Sequence, residues 1–538
     1  MAMIELLDCT LRDGSYIVNG DFGADVIRGI VRKLDAARID IIECGWLKDT
    51  SHKDGSAYFH VPEETRSYLP EHRKSHSIYT VMIDWDRYDL DALPERTEGT
   101  VDAIRMVFPH GKYADALALS AKITSKGYLL FLQAANTLSY SNDELRALAE
   151  AVNCSGAVSL SIVDTFGAMY PEDLDRIFKV LDAELAPSIR LGFHSHNNQQ
   201  LSFALCMRFL QLGAKGTRGL VVDASLCGMG RGAGNATTEL VANYLNRSYA
   251  GNYDLNEILD AIDLYLVRLK DAYEWGYSIP YFIAGIYCTH VNNIAYLRTH
   301  HKTLAKDMRI IIESIDPDTR KKYDYGNLER IYTEYQNRIV DDEKAMTELS
   351  EFFAGRKVLI LAPGMSLNTE ADKVRDYIAR EAPLIVSVNF VPEKYDCDCY
   401  FFVNAARYQF AKDTCMDALK RRMVILTSNI RDTSMDEKVV NFNLLAKLGW
   451  RFFDNSAIMA LRLLTKIGVQ DISFAGFDGF PVESTDGFYA NRILQAELSP
   501  ELKKSINEDV AAMLTDFRAC DKGQTMLRFI TSSMYSVT

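Results

Sequence analysis

Two short stretches of this chain place reactive side chains at spacings that suit chemistry. In Leu7-Asp8-Cys9-Thr10-Leu11-Arg12-Asp13-Gly14-Ser15-Tyr16, an arginine and an aspartate stand side by side ahead of a glycine. In Arg190-Leu191-Gly192-Phe193-His194-Ser195-His196-Asn197-Asn198, two histidines flank a serine. Arginine and aspartate are rarely fully buried without partners, so a strand that delivers both needs something for them to hold. At the carboxyl end of a barrel strand a carboxylate can ligate a metal, and a guanidinium can hold a developing oxyanion. His194 and His196 are two apart, so along an extended strand they point to the same side. With Asp13 on the same rim, two imidazoles and one carboxylate converge with positions left open, which is a catalytic metal site rather than a closed structural one. Taken singly, the stretches also fit an Arg–Asp pair closing a strand and a pair of hydrogen-bonded histidines.

A third stretch follows, Cys227-Gly228-Met229-Gly230-Arg231-Gly232-Ala233-Gly234-Asn235-Ala236-Thr237-Thr238-Glu239. Its glycines permit positive φ and a close approach of backbone to ligand, ahead of a helix N-terminus that favours anions. A phosphate or carboxylate suits this loop, with Arg231, Gly232 and Gly234 as substrate-binding candidates, and Asn235 can offer its carbonyl oxygen to the metal. A flexible lid or a tight turn has the same glycine spacing.

The elements that must position these groups alternate between strand-like and helix-like patterns up to about residue 250. The strand candidates are 4–11, 39–44, 77–83, 103–108, 128–134, 158–164, 189–194 and 220–224. Apolar residues at helical spacing fill 25–37, 113–125, 143–152, 172–185, 199–212 and 237–245. Eight strand–helix units in this length are what a closed (β/α)8 TIM barrel requires, with a doubly wound open sheet as the competing arrangement. The stretches 47–65 and 85–99 are loop-rich and form the weakest units. Residues 251–350 read as a helical extension, with helices expected at 258–273, 281–299, 303–312 and 325–349. From Arg356 the alternation returns, with strands at 357–362, 384–388, 400–403, 423–427 and 472–475 and helices at 369–379, 406–421 and 457–467. Three regions are therefore expected: a barrel over 1–250, the extension, and an α/β Rossmann-like domain over 351–538.

Composition narrows the partners. The chain has 538 residues, too many for one core, and 48% hydrophobic with 25% charged residues is an ordinary globular balance. A net charge of −13, from 60 basic and 73 acidic residues, disfavours nucleic acid and anionic membranes as partners. No charged and apolar leader and no long apolar span is seen, so a cytoplasmic protein is expected. The ten cysteines fall mostly within apolar patterns and read as reduced core thiols. Cys397 and Cys399 lack the second CxxC or His pair that a zinc site needs.

Asp-x-Thr-Leu-Arg-Asp-Gly at the start, His-Ser-His-Asn at 194–197 and Gly-x-Gly-Asn at 232–235 together resemble the DRE-TIM metallolyase superfamily. It contains 4-hydroxy-2-oxovalerate aldolases, 3-hydroxy-3-methylglutaryl-CoA lyases and isopropylmalate synthases. The resemblance covers residues 1–250. It implies that Asp13, His194 and His196 ligate a divalent ion, Mg2+ or Mn2+, with Asn235 as a ligand or close neighbour. It further implies that Arg12 stabilises an enolate, and Glu43 in Ile-Ile-Glu-Cys-Gly matches a position near the site. Two positions depart from the relatives. Tyr16 stands where the aldolases carry an acid/base histidine, and Arg231 where a catalytic cysteine of the CoA lyases is expected. A tyrosine is a poor base at neutral pH unless its pKa is shifted, but a good hydrogen-bond donor.

The region after 355 is similar, more diffusely, to Rossmann-like pterin-pyrophosphokinase-like and sialyltransferase-type domains, through Ala362-Pro363-Gly364-Met365-Ser366-Leu367, Val388-Asn389-Phe390 and Gly476-Phe477-Asp478-Gly479. That likeness implies a nucleotide or nucleotide-sugar ligand held by Gly364, Ser366, Asn389 and Asp478; each is equally at home as a turn or cap residue. The expectation is a metal-dependent carbon–carbon lyase or aldolase acting on a 2-oxo acid and an aldehyde or ketone, in a homo-oligomer, fused to a nucleotide-binding domain. The competing readings are a Claisen-type acyl-CoA condensing or HMG-CoA lyase-like enzyme, and a silent barrel that scaffolds a C-terminal glycosyltransferase or nucleotide-binding module.

Overall fold

A computed structural model describes residues 2–536 apart from 74, 75, 302, 432, 434, 435, 448, 453, 483–488 and 490–497. The chain divides into two compact units, residues 1–296 with 305–323, and residues 297–304 with 324–538. The helices of the 251–350 region are shared between them.

The first unit is a closed parallel barrel. Its strands are β1 (Ile4–Asp8), β2 (Ile41–Leu47), β4 (Ile78–Asp84), β5 (Ala103–Phe108), β6 (Leu129–Ala134), β7 (Ser159–Asp164), β8 (Arg190–Ser195) and β9 (Leu220–Ala224), with a two-residue strand β3 (Tyr58–Phe59) on the edge of β2. Pairing of Leu7 with Ile41 and of Ile4 with Leu220 closes the ring at β1. The outer helices form where apolar residues recur at helical spacing. Helix Ala24–Ala36 buries Ile27, Ile30, Val31 and Leu34, each burial stabilising by about 1.5–3 kcal/mol. Helix Asn142–Asn153 starts at a capping box: the Ser141 hydroxyl accepts from the Glu144 amide, and the Glu144 carboxylate accepts from the Ser141 amide.

Alternation along the strands sorts the barrel interior into layers. Leu7, Ile41, Ala103, Phe131 and Val221 form a buried apolar cluster with Cys9. Two residues further along the same strands come Glu43, Arg105, Gln133 and Asp223, all at most 2% exposed. An apolar plug therefore carries a charged layer, and the charged layer faces the carboxyl rim.

The first strand is shorter than the sequence pattern suggests. It stops at Asp8, whose carboxylate accepts from the Thr10 amide at 2.9 Å and the Thr238 hydroxyl at 2.6 Å. This turn folds Thr10–Asp13 into a single helical turn, so Arg12 and Asp13 project from a helix and not from a strand end. The helix expected at 281–299 is two, Ile279–Ile286 and Val291–His301, separated by a turn with Cys288 at φ 48°. The 325–349 pattern likewise splits into Tyr325–Gln336 and Glu343–Phe353.

The second unit contains a seven-stranded parallel sheet of β10 (Val358–Leu361), β11 (Leu384–Val388), β12 (Cys399–Phe402), β13 (Met423–Thr427), β14 (Lys438–Val440), β15 (Asp471–Ala475) and β16 (Met526–Phe529), ordered β14-β13-β12-β11-β10-β15-β16. Strand order reverses between β10 and β15, the position where open α/β sheets bind ligands. Strands β14 and β16 and the helix Pro500–Asp521 have no counterpart in the sequence reading. All ten cysteines are unpaired. No helix of the described residues is long and apolar enough to cross a membrane.

Candidate metal centre

Asp13, His194 and His196 meet at the carboxyl rim, with one ligand atom from each within 4.8 Å of the others. The helical turn after β1 brings Asp13, and the end of β8 brings the two histidines, whose rings stand at 90° with centroids 5.1 Å apart. The Nδ1 of His194 faces an Asp223 carboxylate oxygen at 3.1 Å, and the Nδ1 of His196 faces the Gly234 carbonyl at 3.3 Å. Donation from His194 Nδ1 to Asp223 leaves its Nε2 free to ligate, the usual carboxylate-supported arrangement of a metal-binding histidine, while His196 brings its Nδ1 within 3.8 Å of Asp13 Oδ2. Burial holds His196 near pKa 4 against the pull of Asp13, so it is a neutral imidazole. Burial alone would raise Asp13, but the Arg12 guanidinium, helped by the Asn235 amide, outweighs it and holds the carboxyl at about 2.

Two further observations fit a cation in this place. Asn235 donates from Nδ2 to Asp13 Oδ2 at 2.5 Å and to the Met229 carbonyl at 3.3 Å, while its Oδ1 is buried without a partner. An orphaned amide oxygen beside a carboxylate and two imidazoles completes an oxygen-and-nitrogen donor set suited to a divalent ion. Gly230 lies so close that a Cβ there would strike both Asp13 and Asn235. Gly234, at φ 79°, passes the Gly228 carbonyl at a distance no side chain permits. The loop glycines thus shape the loop that presents Asn235, which is tied to β8 by the Asn197 amide on the Gly234 carbonyl.

Arg12 is 5% exposed. Its Nε donates to Glu43 at 2.7 Å and its Nη1 to Asp13 at 2.8 Å, while Nη2 has no partner among the described residues. One edge of the guanidinium is thereby fixed and the other left for a ligand. Glu43 also pairs with Arg105 Nη1 at 2.8 Å, and Arg105 reaches Asp223 through Nη2. A continuous chain of charge therefore runs Arg12–Glu43–Arg105–Asp223–His194 through the polar layer of the barrel. Sequence reasoning found Arg12, Glu43 and His194 but missed Arg105 and Asp223; the available signal was a charged residue inside each of two otherwise apolar strands.

It also missed Trp46. Strand β2 has a register shift between Glu43 and Trp46, and Gly45 at φ 150° leaves no room for a side chain beside the Ala57 carbonyl. Such a bulge re-aims the next side chain. The Trp46 indole donates to the Arg12 carbonyl at 3.2 Å and meets the Tyr16 ring edge-on at 5.9 Å. Tyr16 is 41% exposed and its hydroxyl has no hydrogen bond among the described residues. The phenol lies above its ordinary pKa, because desolvation outweighs the guanidinium groups of Arg231 and Arg12. Arg231 stacks over the Tyr16 ring at 4.8 Å and donates to His290 Nε2 at 3.0 Å and to Asn292 Oδ1 at 3.2 Å. Burial and Arg231 together lower His290 to about 3.

In the second unit, Gly364, Asn389 and Asp478 line one cavity at the carboxyl ends of β10, β11 and β15, together with Arg407 and Ser456. Ser366 points elsewhere. Its amide donates to Asp478 at 2.8 Å and its hydroxyl to the same carboxylate, so an acid already caps the turn that the sequence offered to a phosphate.

Comparison with known proteins gives an HMGL-like family model matching residues 110–264. The chain is 31% identical over 263 residues to the oxaloacetate decarboxylase of Mycobacterium tuberculosis, covering 48% of this chain and 74% of that protein. It is 28% identical over 309 residues to the 4-hydroxy-2-oxovalerate aldolase of Chloroflexus aurantiacus, covering 53% and 82% respectively. It is 26% identical over 283 residues to the aldolase of that name from Pseudoalteromonas translucida, covering 50% and 77%.

Proposed function

We propose that this chain, which belongs to the HMGL-like family of DRE-TIM metallolyases, makes or breaks the bond between C3 and C4 of a 2-oxo acid by stabilising the enolate of the three-carbon fragment. The observation that carries this reading is the convergence of Asp13, His194 and His196 beside Arg12, whose guanidinium keeps one edge unengaged. A divalent ion such as magnesium or manganese, held by these three residues and the carbonyl oxygen of Asn235, would supply Lewis-acid polarisation of the substrate carbonyl. Arg12 is placed to donate to the oxygen on which negative charge develops, and its fixed fork costs no reorganisation at that moment. Glu43, buried between Arg12 and Arg105, orients Arg12 and is a positioning residue. Both relatives' substrates, oxaloacetate and 4-hydroxy-2-oxovalerate, are 2-oxo acids whose C3–C4 cleavage leaves the same pyruvate enolate, which supports this substrate class.

The type of bond broken turns on bases. A retro-aldol step needs a group that takes the proton of the C4 hydroxyl. The phenol of Tyr16, protonated at neutral pH, and the imidazole of His290 pinned to Arg231 are both poor acceptors. Loss of carbon dioxide from a β-carboxylate needs no base, only an electron sink and a donor that protonates the enolate carbon. Tyr16, protonated and without a hydrogen-bond partner at the rim, suits that donor role. Decarboxylation is therefore the second reading, favoured by this one observation.

Metal-loaded protein incubated with pyruvate in deuterated water tests the common core of both readings. Exchange of the methyl protons, followed by NMR, is the expected result. Tyr16→Phe should slow exchange by roughly 10²–10⁴-fold, the range for losing a general acid or base. Full metal occupancy in the His194→Ala/His196→Ala double variant, or no exchange by wild-type protein, would leave a silent scaffold as the better description. Supplying oxaloacetate and 4-hydroxy-2-oxovalerate in parallel separates decarboxylase from aldolase.

For the second unit we infer a nucleotide or nucleotide-sugar site in the cavity where strand order reverses. Its support is the position and the polar lining from Asn389, Ser456 and Asp478. Calorimetric titration with nucleoside di- and triphosphates and UDP-sugars checks it; binding unaffected by Asn389→Ala and Asp478→Asn would remove the assignment.

A further inference from the structure

Beyond the metal centre, the rim carries two cationic groups that form no ion pair among the described residues. Arg231 forms no ion pair among the described residues. One guanidinium nitrogen, Nη2, is anchored to two neutral acceptors, His290 Nε2 and Asn292 Oδ1, and the plane rests on the Tyr16 ring. The Nε and Nη1 edge has no partner among the described residues. An arginine held by an imidazole, an amide and a phenol ring is oriented without being neutralised, which is how a receptor for an external anion is built. His290 comes from the turn that splits the helices after the barrel and Asn292 from the start of the helix that follows, so this junction serves to aim Arg231.

A second cation lies in the same opening. Lys48, Tyr16, Trp46 and Asp84 line one pocket at the barrel mouth. Lys48 is half-buried and also forms no ion pair among the described residues; its ammonium sits 3.3 Å from the Tyr58 ring. Asp84 acts electrostatically on both Lys48 and Arg231, but its one ion pair among the described residues is with Arg87, at 4.0 Å, and Asp49 on the same rim accepts from the Asp89 amide. Trp46 and Tyr16 connect this pocket to Arg12 and so to the metal centre. The metal, Asp13 and Arg12 account for the 2-oxo acid end of a substrate, and Arg231 with Lys48 remains for its other end.

We propose that the part of the substrate released from the 2-oxo acid fragment carries its own anionic group, a carboxylate or a phosphate ester, which Arg231 receives with help from Lys48. The proposal rests on the enolate reading above and names the substrate class that reading leaves open. It also gives Arg231 a purpose that a relative acting on a small neutral aldehyde does not need. Neutral acceptors that align the guanidinium but leave its charge intact make sense only if the balancing charge arrives with the ligand.

The test pairs anionic and neutral aldehydes of matched size as partners for pyruvate in the metal-loaded full-length protein: 4-oxobutanoate against butanal, and glyceraldehyde 3-phosphate against glyceraldehyde. The ratio of kcat/KM within each pair is the readout, so a general loss of activity cancels. Wild-type protein should favour one anionic member by about 10- to 100-fold, the worth of a charge-assisted hydrogen-bond pair, and the pair that shows it distinguishes carboxylate from phosphate. Arg231→Met should bring the ratio close to one, Arg231→Lys should keep part of it, and Lys48→Met, a second site independent of the glycine loop, should reduce it severalfold. A wild-type ratio near one in both pairs, or a ratio unchanged by Arg231→Met and Lys48→Met, overturns the proposal. If wild-type protein exchanges no pyruvate protons, the enolate reading has failed instead. The subsite is then judged by calorimetric titration of inorganic phosphate and succinate: affinity at least tenfold weaker in Arg231→Met supports it, and equal affinity overturns it.

Discussion

Replacing Arg105 by methionine is the sharpest test of the charged layer under the metal centre. Arg105 is 1% exposed and pairs with Glu43 at 2.8 Å and with Asp223. In Arg105→Met two carboxylates remain buried, with only the Arg12 charge and the hydrogen bond from His194 left to them. Breaking a buried pair from one side costs about 3–5 kcal/mol, because the partner charge is stranded. The melting temperature should fall by roughly 6–20 °C at 2–4 °C per kcal/mol. Three of the four tryptophans, Trp46, Trp85 and Trp275, belong to the barrel unit, so intrinsic fluorescence follows that unit's transition. Metal affinity, measured by competition with a chelating dye, should weaken about 10- to 100-fold, since Asp223 would no longer hold the His194 ring by a fixed contact. Adding Glu43→Gln and Asp223→Asn to Arg105→Met removes the stranded charges and should recover much of the stability while leaving the metal loosely bound. A single Arg105→Met variant with wild-type melting and wild-type metal affinity would refute the idea that one ion-pair chain supports both Arg12 and His194.

Other perturbations read different parts of the site. Gly230→Ala places a Cβ against Asp13 and Asn235 and should weaken the divalent ion by an order of magnitude or more while leaving the melting temperature within a few degrees; unaltered affinity would show that the loop yields freely. Asp102 binds Arg73 at 2.6 Å, Arg96 at 2.9 Å and the Tyr79 amide at 3.0 Å. These partners outweigh burial and hold its pKa below the ordinary carboxylate range. Asp102→Asn should cost about 1–2 kcal/mol, discounted because both arginines are a third exposed. A depressed folded pKa means this contribution is complete above roughly pH 4 and is lost as pH falls through the folded value, so urea titrations of the two proteins should diverge at pH 7 and converge in acid. A difference that persists at low pH would mean the amide fails for reasons of shape rather than charge.

How much of this was legible in the sequence follows from what period-2 reading can see. The eight strands showed as apolar runs bounded by turn residues, and the His-x-His pair was visible because two polar side chains at spacing two need no knowledge of which face is buried. The charged layer obeys the same spacing: Glu43, Arg105, Gln133 and Asp223 each stand two residues beyond a member of the apolar plug. It stayed hidden because barrel strands are covered on both faces, so their sequences do not alternate and the inward parity of one strand cannot be set against that of the next. Once the structure fixes that parity at Leu7 and Ile41, the four residues fall into one layer without further assumption. Trp46 was beyond this reasoning in a different way, since the bulge at Gly45 reverses the parity within a single strand. Arg231 was singled out only as a substrate-binding candidate and as the occupant of a position where a cysteine is expected. What suits it to the proposed receptor role is the company of Tyr16, His290 and Asn292, brought from elements that lie far apart in the chain and meet only when the barrel closes and the turn after Ile279–Ile286 folds over its rim. Local pattern thus located the groups proposed to bind the 2-oxo acid end of a substrate, whereas the groups proposed to receive its other end are set by contacts of long sequence separation, for which a single sequence carries no local signal.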